Sequence, residues 1–109
     1  MSMELYSELQ DKLAILETYT KEVGKYGRQL AQAEMEYRIA KAKKILELRD
    51  NGFPVTITQD VVMGSPEIAR ARFRRDCAEV LYKAAFESIN TTKLSIKILE
   101  AELDREYRG

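Results

Sequence analysis

The chain has 109 residues, with 18 basic and 18 acidic side chains, one cysteine and no histidine. That length fits one domain, the even charge removes any global pull toward nucleic acid or membrane, and a single cysteine excludes an internal disulfide. Without histidine the commonest general acid/base and the commonest neutral metal ligand are missing, so no catalytic, cofactor or metal constellation is expected and the protein is read as a non-enzyme. Residues 1–13, MSMELYSELQDKL, hold no basic stretch followed by an apolar run, and no apolar run approaches the ~20 residues that span a bilayer. The expectation is a cytoplasmic protein in a reducing compartment.

Residues 3–50 contain no proline and predict one long helix. Leu9, Leu13, Leu16, Thr20, Val23, Gly27 and Leu30 recur at alternating steps of four and three, the heptad spacing of a packed helical seam. Met35, Ile39, Ala42 and Leu46 form a second stripe well round the helix from the first. A helix apolar on two sides expects neighbours on both. Glu34 stands on the first stripe, where an acid needs a pairing partner. Gly24 and Gly27 mark a place where another backbone packs close, or a kink.

The connector spans about residues 51–65. Asn51-Gly52-Phe53-Pro54 follows Arg49 in the order of a Schellman stop. Val55-Thr56-Ile57-Thr58 is β-branched throughout and favours extended backbone. Thr58 is the candidate cap of a short helix through Val61, Val62 and Met63, ending at Gly64. Ser65-Pro66-Glu67 then has the composition of a helix start, with serine at the cap, proline at the first position and an acid in the first turn.

A second long helix is expected over about 66–107. One face carries Phe73, Cys77, Val80, Ala84, Ser88, Thr91, Ser95 and Ile98, and an adjoining face Leu81, Ala85, Ile89, Thr92, Ile96, Leu99 and Leu103. Cys77 on such a face reads as a buried structural thiol. The six tyrosines are spread along the helices, which suits packing with the hydroxyl at the surface.

The fold class is therefore all-α: one domain, 1–109, forming a long antiparallel helical hairpin with an irregular or short-helix connector. A lone hairpin has little core for its surface, so assembly into a multi-helix bundle with copies of itself is expected. Between residues 38 and 76 there are nine basic and five acidic side chains, a net +4, which leaves −4 for the rest. Phe53, Val55, Ile57, Val62 and Met63 with Arg70, Arg72, Arg74 and Arg75 make the candidate partner surface, because apolar anchors with an arginine rim suit an interface. Intersubunit packing is an equal reading of the same apolar residues. The alternative is phosphate contact by Lys41, Lys44, Arg70, Arg72, Arg74 and Arg75, although no base-reading motif accompanies them. The competing view of these charges is a solvated face with pairs such as Arg72–Asp76 and Arg75–Glu79.

The segment KKILELRDNGFPVTITQDVVMGSPEIARARFRRD, residues 43–76, followed by AEVLYKAAFESINTTKLSIKILEAELDREY, residues 78–107, resembles small all-helical proteins of bacteriophages and prophages of Gram-positive bacteria. The resemblance implies a phage accessory protein in the host cytoplasm. Its partner would be a host or phage protein of DNA replication, recombination or anti-defence. The resemblance carries over no catalytic residues.

Overall fold

The computed structural model describes residues 2–109. The chain is all-α: α1 (Ser2–Asp50), α2 (Val55–Gly64) and α3 (Pro66–Arg108), of 49, 10 and 43 residues. α1 packs against α3 as an antiparallel helical hairpin, and no strand occurs among the described residues. The chain divides into two compact units, Gly27–Leu81 and the pairing of Met1–Tyr26 with Tyr82–Gly109.

α1 ends where its sequence says it must. Gly52 takes φ +82°, the Phe53 N–H donates to the Leu48 carbonyl at 3.0 Å, and the Gly52 N–H donates to the Arg49 carbonyl at 3.0 Å. These are the two bonds of a Schellman motif. Pro54, at φ −61°, ψ 145°, is the N-cap of α2.

The connector differs from expectation. Val55–Thr58 is the first turn of α2 and not an extended segment, so the short helix begins before Thr58. The Thr58 hydroxyl donates to the Pro54 carbonyl at 2.7 Å and the residue is buried. Burial of Thr58 and Val62 on one side of the turn outweighs the modest helix penalty of β-branching. Ser65 does join α2 to α3, but its side chain does not cap α3. Its hydroxyl donates back to the Val61 carbonyl at 2.7 Å, while its own carbonyl accepts from the Ile68 and Ala69 N–H groups at 3.1 and 2.9 Å.

In the unit Gly27–Leu81, Tyr37, Leu48, Val62, Ile68 and Ala71 form the core, with Ala40, Ile45 and Val61 packed against it. Val62 and Ile68 are fully buried. α2 thus contributes Val62 to the core that α1 and α3 share. In the other unit Ala85, Ile89, Thr92, Ile96 and Leu99 of α3 are buried, and Leu5, Leu9, Lys12, Leu16, Tyr19 and Val23 of α1 are half-buried.

Along α3 the covered positions 68, 71, 75, 78, 82, 85, 89, 92, 96, 99 and 103 step by three and four without a break. This seam is the face expected from Ala85 to Leu103. The other expected face is largely solvent-facing: Phe73, Val80 and Ile98 are exposed, and Cys77 is exposed rather than buried. On α1 the seam passes through Lys12 and Tyr19, while Leu13 and Thr20 are exposed. A lysine stem and a tyrosine ring cover surface while the polar end stays in water, which suits the half-burial of both residues.

Candidate interaction surface at the loop end

The residues nominated for partner contact divide into two groups. Phe53, Val55 and Ile57 are exposed, Val55 at 66%. Val62 has no exposure and belongs to the core. Met63 is half-buried, with the Tyr37 hydroxyl donating to its sulfur at 3.6 Å. Phe53 precedes α2, so the helix itself puts two apolar side chains in water, and a contiguous exposed apolar patch marks an interaction site. α2 spends Thr58 and Val62 on holding its position and leaves Val55 and Ile57 free.

The arginines also divide. Arg75 donates to Asp76 at 2.7 Å, lies 3.5 Å from Glu34 and stacks 4.7 Å from the Tyr37 ring centre. Its pKa is raised, first by the hydrogen bond to Asp76. Glu34 also holds Arg38 at 2.9 Å, so the acid on the seam is half-buried and paired across α1 and α3. Arg75 is thus held by both Asp76 and Glu34. Arg72 reaches Asp76 at 4.0 Å. Arg70 and Arg74 are exposed, and neither has an ion pair among the described residues.

Lys44 is 3.0 Å from Glu67 and 3.6 Å from Glu47, which raises its pKa, the Glu67 hydrogen bond first. Lys41 lies 5.9 Å from the Tyr37 ring centre, within cation–π range. Of the six residues nominated for phosphate contact, Lys44 and Arg75 therefore spend their charge inside the chain. Sequence reasoning did not find the Tyr37–Arg75 stack or the Lys44–Glu67 tie. Their signal is charge on a helix's core stripe, at Glu34, Lys41 and Lys44, and only at Glu34 does it lead to the expectation of a partner.

In the other unit, one groove is lined by Lys12, Ile15, Tyr19, Ser88, Thr91 and Ser95. A second is lined by Met3, Tyr6, Leu103 and Tyr107. Both are open to solvent. Among the described residues no helix is long and apolar enough to cross a membrane, and no group of three or more acids or thiols is placed to hold a metal ion. No family model, no curated protein and no solved structure matches this chain.

Proposed function

We propose that this is a non-catalytic accessory protein that works through protein–protein contact, as an oligomeric helical scaffold or as an inhibitor of a host or phage protein of DNA metabolism or defence. The supporting observation is the loop end. Phe53, just before α2, and Val55 and Ile57 on it stand exposed, Val62 anchors the helix in the core, and Arg70, Arg72 and Arg74 of α3 are exposed as well. Apolar anchors on a rigid support, bordered by arginine, have the composition of a protein-binding patch. The resemblance to small phage proteins supplies the class of partner, and a cytoplasmic setting goes with it.

The alternative, nucleic acid held by the basic loop end, is the weaker reading, because Lys44 and Arg75 are already neutralised by carboxylates. Ile57→Asp separates the two. It is expected to abolish retention of a bacterial protein by the immobilised chain while leaving helicity and thermal midpoint unchanged, since Ile57 lies outside the core. Retention unchanged by Ile57→Asp, together with salt-sensitive binding to a short duplex that weakens in Arg70→Ala/Arg74→Ala, overturns the protein-partner reading.

A further inference from the structure

The face of α1 turned away from α3 carries Met35, Ile39, Ala42 and Leu46 at steps of four, three and four. All four are exposed, Met35 at 47%, Ile39 at 60% and Leu46 at 65%. This is heptad spacing on the side of the helix opposite Tyr37, Lys44 and Leu48, which face the hairpin seam. α1 therefore has a second seam with nothing on it.

A folded monomer of this mass exposes about 6,200 Å² by the usual scaling, whereas the chain exposes 7998 Å². The surplus of about 1,800 Å² is spread over the whole chain and leaves room for the ~800 Å² that one subunit gives to a standard stable interface.

The charges beside the stripe identify the occupant. Glu36 and Lys43, seven residues apart, flank the stripe on one side. Both are exposed. Glu36 accepts a hydrogen bond from Gln32 at 3.0 Å, but neither residue has an ion pair among the described residues. The other flank carries Arg38, already neutralised by Glu34 at 2.9 Å, and the half-buried Ile45.

We infer that this stripe is a self-association seam that takes the same stripe of a second copy running antiparallel. With the two-fold axis between Ala40 and Lys41, Met35 meets Leu46 of the second copy and Ile39 meets Ala42, a large residue opposite a small one. The same register brings Glu36 beside Lys43 of the second copy, and Lys43 beside its Glu36. The stripe is thus complementary to itself in shape and in charge, as an isologous interface requires. The inference rests on the reading of the chain as an assembling helical protein and gives that assembly a surface and a register.

The test is molar mass in solution, by sedimentation equilibrium at micromolar concentrations, on the full chain. Wild type is expected at twice the single-chain 12.6 kDa. Ile39→Asp is expected at the single-chain mass with helicity intact, because the residue contributes nothing to the folded core. Glu36→Lys and Lys43→Glu each place like charges at both symmetry-related contacts and are expected to be single chains alone. Mixed together they restore opposite charges at both contacts, and the doubled mass returns. A wild-type chain that stays at single mass overturns the inference, as does doubled mass that survives Ile39→Asp. So does a charge-variant mixture that fails to associate while wild type does. Ile57→Asp leaves the doubled mass unchanged, so this seam and the loop-end surface fail independently.

Discussion

At the scale of single residues, Lys44 and Glu67 form the clearest electrostatic tie between α1 and α3, at 3.0 Å. The Glu67 carboxyl is held below its ordinary range, first by its own backbone N–H in the opening turn of α3 and then by Lys44. A lowered folded-state pKa means that the stabilisation is present above the unfolded carboxylate value and is lost as pH falls through the folded one. Lys44 is raised above 10.5, so its share is present below that value and is lost as pH rises through the raised one. Glu67→Gln is therefore expected to lower the thermal midpoint at neutral pH. The difference from wild type closes as pH falls below the ordinary carboxylate value of about 4.3. A gap that persists unchanged into acid would show that the tie does not depend on the carboxylate charge. Both side chains are solvent-accessible, so salt is expected to narrow the gap.

At the scale of elements, the two glycines of the connector make opposite predictions. Gly52 sits at φ +82° with nothing within 4 Å of an added Cβ, so Gly52→Ala meets no clash and only backbone strain, a cost of about 1–2 kcal/mol. Gly64 is helical with open space around it, so Gly64→Ala is expected to stabilise by about 0.5–1 kcal/mol. Urea unfolding of the two variants checks both signs. The Schellman stop at Asn51–Phe53 was legible in the sequence because its residue types are dictated by local backbone geometry. The start of α2 was not legible, because Val55–Thr58 is β-branched and its helical state depends on what Thr58 and Val62 pack against. The heptad pattern of the sequence puts the α1 seam one residue off at Leu13 and Thr20, which are exposed. Lysine and tyrosine bodies occupy the covered positions 12 and 19, and residue type alone hides that. At the loop end, charge and apolarity were both visible in the sequence. Which arginine was free and which was spent required Asp76, Glu34 and Tyr37 to be placed.

At the scale of the whole molecule, the proposed seam ties stability to concentration. Association of folded chains adds stability by mass action, so the thermal midpoint of wild type is expected to climb with protein concentration. That of Ile39→Asp is expected to stay level. A wild-type midpoint independent of concentration would mean that the hairpin holds itself together alone. The expected net +4 over residues 38–76 is read from the sequence. The pairs Lys44–Glu67 and Arg75–Asp76 lie inside that count and leave the net unchanged, whereas Glu34, outside the segment, offsets one charge at Arg38.

α2 is held at three points. The Schellman bonds fix the backbone before it, Val62 of its last turn is sunk in the core, and the Ser65 hydroxyl donates back to the Val61 carbonyl. Its exposed edge is consequently preorganised. A protein that docks on Val55 and Ile57 meets side chains already carried on an ordered backbone and loses little conformational entropy in settling there. Encounter is not delayed by a folding step, so the speed of recognition is set by diffusion and orientation. Variants that strengthen the contact then act mainly by lengthening the lifetime of the complex.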